Sequence, residues 1–243
     1  MSKILQLMTG TCNMITPELI NRFHRDGAVV LRSVFSDYWI KQVQRGIQKN
    51  LENPSVYAES LKVSDNSGSY FNDYCNWKKI PEFQEFIENS PAAEIAGTLL
   101  GSEVCSIWMP VDPVPMESTL RLVCGSHQWG WFKPRKFATE SDYVSQVLAD
   151  SYDSVPVEEI DAGKHTILEW PIQPGDCVVF HMRTLHGAAG NSTTSQRRVL
   201  ATRWLGEDAS IATRPWEVSP PLEAVFEEPP SIEQLPTIWK RPK

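Results

Sequence analysis

A histidine and an arginine eleven residues apart have the clearest chemical potential in this chain. His186 lies in the run from Thr184 to Gly190, which follows a predicted strand and opens a loop, where a side chain can reach a binding site. Arg197 stands directly before Arg198 at the start of the next strand pattern. A neutral imidazole can bind iron, and arginine can hold a 2-oxoacid carboxylate through paired, charge-assisted hydrogen bonds. This order indicates one half of an iron and 2-oxoacid site.

An iron site of this kind needs more donors than His186 alone. Two histidines and one carboxylate occupy one face of Fe(II) and leave the other positions open for the oxoacid and dioxygen. The chain contains a His-x-Asp pair with this spacing, His24 and Asp26, but the pair ends an amphipathic helix just before Gly27. Since polar residues are ordinary at a helix terminus, we interpret the pair as structural.

The other three histidines also have structural interpretations. His127 follows a Gly-Ser pair and suits a turn in which the ring bonds nearby backbone, while His165 opens a predicted strand. His181 precedes His186 by five residues. Because this number is odd, the two rings would face opposite ways on a regular strand. None of the three is predicted to be the second iron ligand.

Helix signals dominate the first part of the chain, and strand signals follow. Capping residues, Pro and Gly mark helices that begin at Thr16, Ser36 and Ser90 and end near Gly27, Pro54 and Gly101. A short buried strand is predicted over 28–31. Residues 55–77 are predicted to form a loop that carries Tyr70, Phe71 and Trp77 towards a pocket or the core, and the core is preferred.

The strand patterns lie over 105–111, 119–123, 164–170, 176–182 and 198–205. Helices followed by several short strands predict an α+β fold with a jelly-roll barrel rather than a parallel doubly wound sheet. A short helix is also predicted over 142–148.

The predicted organisation is one domain over residues 1–214 followed by a tail. Its helical part spans 16–101 and its β-rich part 104–208. The tail, 215–243, is too rich in proline for a domain of its own, and we expect it to wrap the surface with Trp216 and Trp239 as attachment points.

Composition excludes several classes of protein. A net charge of −7 over 243 residues argues against nucleic-acid binding, because no basic stripe is available to neutralise phosphates. The five cysteines show no CxxC spacing, which favours reduced thiols and a cytoplasmic location. Polar residues interrupt the apolar run near the N-terminus, so no membrane span is expected. A small-molecule partner is expected, and the oligomeric state stays open.

Three segments resemble the phytanoyl-CoA dioxygenase family of Fe(II)/2-oxoglutarate-dependent oxygenases. The similarity extends over roughly residues 16–208 of the chain. The C-terminal segment is the most specific of the three. The resembling segments are Phe23 to Val30, Ser106 to Asp112 with Gly125-Ser126-His127, and Gly175 to Gly187 with Asn191 and Arg197-Arg198.

The resemblance implies a double-stranded β-helix of the jelly-roll or cupin type, flanked by N-terminal helices. It implies Fe(II) and 2-oxoglutarate as cofactors and oxidative hydroxylation of a small organic or acyl substrate. His186 matches the family's distal iron-ligand histidine, Arg197 the arginine that binds the 2-oxoglutarate carboxylate, and Trp108 a tryptophan that lines the cofactor pocket. Ala188 stands where the family often has a hydroxyl.

The family's His-x-Asp motif has no counterpart in the matching position, between the helix that ends near Gly101 and the strand of Trp108. There Glu103 and Val104 run directly into Cys105, and the join is short by about two strands, on the order of 30 residues. Two of the three protein iron ligands are therefore absent, and part of the barrel with them. An exposed sheet edge and reduced stability are expected.

Three hypotheses follow for function. The chain is an Fe(II)/2-oxoglutarate dioxygenase, an inactive deletion variant that has lost metal binding, or a jelly-roll domain that binds an anionic ligand without redox chemistry. The sequence alone leaves open whether the chain is an enzyme.

Overall fold

A computed structural model describes residues 15–62, 69–100, 104–133, 152–191, 195–212 and 220–241. The helices are α1 (Pro17–Asp26), α2 (Asp37–Glu52), α3 (Pro81–Asn89), α4 (Ala92–Leu100), α5 (Val157–Asp161) and α6 (Leu222–Val225). The strands are β1 (Ala28–Leu31), β2 (Glu59–Lys62), β3 (Ser69–Asn72), β4 (Val104–Pro110), β5 (Leu120–Val123), β6 (Ile167–Glu169), β7 (Cys177–His181), β8 (His186–Ala188) and β9 (Val199–Leu205). None of the described helices is long and apolar enough to cross a membrane.

The first helix shows how the sequence sets its own boundaries. The Thr16 hydroxyl accepts a hydrogen bond from the Leu19 amide at 3.2 Å, which satisfies one of the unpaired donors at the start of α1. Gly27 ends the helix with a φ of 81°, in the left-handed region that favours glycine. A Cβ at this position would lie 2.4 Å from Nδ1 of His127. Gly27 thus permits both the turn into β1 and the close approach of that ring.

Two antiparallel sheets face each other. One has the strand order β1-β7-β4-β9 and the other β6-β5-β8. The fold is α+β, and the sheets are the two walls of a double-stranded β-helix that is not closed into a barrel. The predicted fold class is confirmed.

Two layers of buried side chains hold this arrangement together. On the outer face of the four-stranded sheet, Ile107 and Val179 pack with Phe23, Phe86 and Leu99 of the helices. Between the sheets, a second cluster includes Val178, Phe180 and Leu122, with Trp108 packed against it. Strand alternation produces this division, because successive side chains point to opposite faces of a sheet.

The sandwich is closed on the side where β1 and β6 lie. Arg32, just after β1, donates to the Pro171 carbonyl beyond β6 at 2.6 Å and to Asp176 at 2.8 Å. The Asp176 carboxylate also accepts the backbone amides of Ser33 at 2.8 Å and Gln173 at 3.0 Å. This network joins the edges of the two sheets.

The opposite side is open. Among the described strands, β8 and β9 each have one neighbour in their sheet, and each therefore has a free edge. His186 and Gly187 in β8 and Ala201 and Arg203 in β9 are exposed. The expected exposed edge is present in both sheets.

Several predictions need correction. Residues 55–77 contain the hairpin β2–β3 rather than a loop alone, and residue 70 is 37% exposed rather than part of the core. The run after His181 does not simply open a loop, because His186 begins the short strand β8. A further helix, α3, went unpredicted. Trp239 does pack against Gly97 of α4, as expected for a tail that wraps the surface. The helix predicted over 142–148 and Trp216 lie outside the described residues, and the domain boundaries stay a prediction.

Candidate functional site between the two sheets

His186 stands at the open side of the sandwich, at the first position of β8 opposite Leu122. Its Nδ1 lies 2.8 Å from the Thr184 carbonyl, and its ring packs on Phe180 with centroids 4.7 Å apart. Since a carbonyl can only accept, this bond requires the proton on Nδ1. The lone pair is then on Nε2, the ring atom that could bind a metal ion.

The surroundings of His186 favour the neutral imidazole. Burial among protein atoms lowers its pKa, and the positive charge of Arg203 lowers it further, against the opposing effect of the Thr184 carbonyl. His186 is nevertheless exposed to solvent. Both observations fit a residue that lines an open cleft. A neutral ring at neutral pH is the form that binds metal.

Arg197 lies at the end of the cleft, two residues before β9. Its Nη1 donates to the Ser118 carbonyl at 2.5 Å and to the Ala189 carbonyl at 3.0 Å. Burial lowers its pKa, although a guanidinium stays charged in proteins. Within the described ranges, no carboxylate lies within 4.0 Å of it. A half-buried positive charge held by backbone carbonyls is suited to an anionic ligand.

The β2–β3 hairpin lies near this arginine. Burial and the charge of Glu59 raise the pKa of Tyr70, while the positive charge of Arg197 opposes the rise. The hairpin therefore brings an aromatic hydroxyl near Arg197. The sequence predicted that Tyr70 lies towards a pocket or the core, but it did not predict the approach to Arg197.

An ion pair fixes the backbone beside Arg197. The Asp112 carboxylate accepts from the backbone amide and Nε of Arg198, both at 2.9 Å, and from its Nη2 at 2.7 Å. Burial raises the pKa of Asp112, but these hydrogen bonds and the charge of Arg198 lower it, and the net shift is downward. The carboxylate is therefore ionised at neutral pH and holds the start of β9 in place.

Trp108 lies in β4 with its side chain against the cluster between the sheets, and its cross-strand partners are Val178 and Ala201. Ala188 of β8 packs against the same cluster. His186 contacts Phe180 of this cluster, and Arg197 bonds to the carbonyl of Ala189, next to Ala188. The three residues named from the sequence therefore lie around the space between the sheets, and their binding roles stay a prediction.

The donor set for iron is incomplete. Across the described part of the chain, no group of three His, Cys, Asp or Glu side chains could hold a metal ion. Asp26 instead forms an ion pair with Arg25 at 2.7 Å, at the end of α1. The residues that the structure describes therefore do not fit the iron site of an oxygenase.

The remaining histidines have structural contacts. Nε2 of His127 lies 3.0 Å from the His24 carbonyl, and its ring is 5.2 Å from that of His181. His165 packs on Trp129 at 4.8 Å between ring centroids. His181 ends β7 whereas His186 begins β8 in the other sheet, so the expected opposition along one strand does not apply.

Sequence reasoning missed Arg203, which lowers the pKa of His186. It lies six residues after Arg197. Arg197 precedes β9 whereas Arg203 lies within it, so strand alternation does not relate the two residues, and no local signal marked Arg203.

Comparison with known proteins supports the fold. The family profile described as phytanoyl-CoA dioxygenase (PhyH) matches residues 97–199, and the resemblance seen in the motifs is confirmed there. No curated protein sequence matches the chain. The non-haem α-ketoglutarate-dependent carbocyclase SnoK from nogalamycin biosynthesis has a TM-score of 0.60 and 19% identity over 79% of this chain and 85% of its own.

Two further structures show the same similarity. EctD from S. alaskensis, solved with 2-oxoglutarate and 5-hydroxyectoine, has a TM-score of 0.61 and 17% identity over 86% of this chain and 82% of its own. AviO1 from Streptomyces viridochromogenes Tue57 has a TM-score of 0.60 and 17% identity over 80% of this chain and 96% of its own. At these identities the likeness establishes the fold.

Proposed function

We propose that this phytanoyl-CoA dioxygenase-like chain, with the fold of Fe/2-oxoglutarate-dependent oxygenases, binds a 2-oxoacid but does not hold a catalytic iron by itself. The observation that carries the proposal is the contrast between the two halves of the site. Arg197 is half-buried, charged and free of carboxylate partners among the described residues, while His186 belongs to no group of three possible metal ligands there.

Each residue has a definite role in this proposal. Arg197 binds the distal carboxylate of 2-oxoglutarate, and the Asp112–Arg198 pair keeps it in position. Trp108 forms an apolar wall of the pocket. A complete iron and 2-oxoglutarate centre would supply oxidative hydroxylation, and His186 would offer it one nitrogen ligand.

The alternative is an active hydroxylase of a small organic or acyl molecule, with the remaining iron ligands supplied from outside the described residues. The neutral, solvent-accessible imidazole of His186 favours it, because that ring is ready to bind a metal. For either function we propose a cytoplasmic location, in keeping with four free cysteines among the described residues.

Binding of 2-oxoglutarate without metal tests the first part. Titration calorimetry of the chain in a chelating buffer should show binding that Arg197→Gln weakens by about 10- to 150-fold, the range for one charge-assisted hydrogen-bonded contact. Arg121→Gln is the matched control, because Arg121 is an exposed arginine of β5. Equal binding by wild type and Arg197→Gln contradicts the assignment of the 2-oxoacid site.

Anaerobic Fe(II) titration and succinate release test the second part. We expect no iron binding that depends on His186 and no succinate above the level of the His186→Ala variant. Tight, His186-dependent iron binding together with succinate release would establish the hydroxylase instead.

A further inference from the structure

The free edge of β9 presents a regular row of backbone donors and acceptors. The Val111 amide donates to the Arg198 carbonyl at 3.0 Å, so Arg198 belongs to a hydrogen-bonded pair with the neighbouring strand. In an antiparallel ladder, alternate residues bond to the same neighbour. Leu200, Thr202 and Trp204 therefore bond to β4. The groups that face the open edge belong to Val199, Ala201, Arg203 and Leu205.

The composition of β9 suits pairing with another strand. Its seven residues contain one charge and neither Pro nor Gly. Ala201, Arg203 and Leu205 are exposed, the last of them by 44%. Charges, Pro or a bulge usually protect an edge of this kind from association, and β9 has one arginine alone. The side chains of β9 therefore do not protect its edge, and no second described strand pairs with it.

We propose that β9 pairs antiparallel with β9 of a second copy of this chain, about a two-fold axis at Thr202. Only residues that both face the free edge can exchange hydrogen bonds, so the pairing must keep this alternation. Centred at Thr202, all seven residues of each strand are paired. Centred at Arg203, the two strands overlap less and two arginines stand opposite each other, which is unfavourable.

The side chains match in the Thr202 register. Ala201 stands opposite Arg203 of the second copy, so the positive charge meets a small neutral residue. Leu200 stands opposite Trp204 of the second copy. Leu200 and Trp204 are only partly buried, and they already pack against the helix-side core. Their pairing therefore extends that core across the contact.

This pairing would join two four-stranded sheets into one and cover the β9 edge of each sandwich, while β8 keeps its free edge. Such a two-fold contact is self-complementary, which is the commonest arrangement in soluble homo-oligomers. The proposal does not depend on whether the chain binds a 2-oxoacid. It concerns the β9 edge of the sandwich. On the β1–β6 side, the Arg32–Asp176 network joins the edges of the two sheets within one chain.

Sedimentation equilibrium of the full chain over a range of concentrations tests the association. We expect a reversible monomer–dimer equilibrium. Ala201→Glu places a carboxylate opposite Arg203 of the second copy twice per dimer and should tighten the dimer by about 2- to 30-fold. Ala201→Lys places like charges there and should weaken it by about the same factor.

Three further variants control for folding and for charge. Ala201→Pro removes an outward amide without breaking a bond to β4, so it should leave a folded monomer by circular dichroism. Ala162→Glu and Ala162→Lys make the same changes at an exposed position between α5 and β6, on the other side of the sandwich, and should leave the dimer unaffected. A chain that stays monomeric at its highest soluble concentration overturns the proposal. So do equal effects of Ala201→Glu and Ala201→Lys, or dimers that persist in Ala201→Pro.

Discussion

Replacing Asp112 by Asn should destabilise the fold by about 1–3 kcal/mol at neutral pH. The carboxylate accepts three hydrogen bonds from Arg198, two on Oδ2 and one on Oδ1. An amide keeps one oxygen, so at least one bond is lost and the others change from charged to neutral acceptors. Charged bonds contribute about 1.5–3 kcal/mol and neutral ones about 0.5–1.5 kcal/mol.

Solvent screening lowers the sum of these contributions to the expected value of about 1–3 kcal/mol, because the Asp112 and Arg198 side chains are 15% and 29% exposed. The expected loss corresponds to a decrease in Tm of about 2–12 °C for a chain of this length. Denaturant unfolding monitored by circular dichroism measures the difference. Glu159→Gln is the control, since its ion pair with Lys164, at 3.3 Å, is exposed and its removal should leave stability nearly unchanged.

The pH dependence gives the sharper test. The net downward shift in the pKa of Asp112 means that the folded state binds its proton less readily than the unfolded state. Its contribution is therefore complete above the unfolded pKa of about 3.9 and is lost as the pH falls through the folded value. The difference between wild type and Asp112→Asn should shrink below about pH 4. A difference under about 0.5 kcal/mol at pH 7, or one unchanged at low pH, refutes the reasoning.

Three other outcomes can be checked independently. Gly97→Ala should displace the tail and shift Trp fluorescence to longer wavelength, because the new Cβ would lie 2.2 Å from the Trp239 ring; an unchanged spectrum contradicts this. Gly27→Ala should lower stability by about 1–3 kcal/mol in denaturant unfolding, since φ is +81° and a Cβ would lie 2.4 Å from a buried histidine nitrogen. Burial raises the pKa of Cys105 to about 12 and also raises the pKa of Cys177. Neither thiol should react with a thiol reagent until the protein unfolds. The partly exposed Cys75 and Cys124 should react in the native state.

The sequence predicted the architecture where local signals and burial agree. Thr16 and Gly27 mark both ends of α1, and the apolar run from Cys177 to Phe180 forms a fully buried strand, as its composition indicates. β8 was not predicted because its three residues include Gly187 and Ala188, which carry little strand propensity. Its pairing with β5 creates the strand, and that contact is between segments distant in the sequence.

The candidate site was predicted only in part, because some of its contacts join segments that are distant in the sequence. His186 and Arg197 follow a recognisable spacing, and the structure brings them to one cleft. The approach of Tyr70 to Arg197 depends on how a hairpin more than 100 residues earlier folds over the sheets. No local pattern encodes that placement.

The pairing of β1 with β7 sets a delay during synthesis of the chain. Ala28 stands opposite Phe180, 152 positions later (180 − 28). At about 5–20 residues per second, β1 leaves the ribosome about 8–30 s before its partner exists. During that interval α1, β1 and α2 expose apolar surfaces that the finished sheet covers, so early binding of a chaperone would favour a high yield of folded protein.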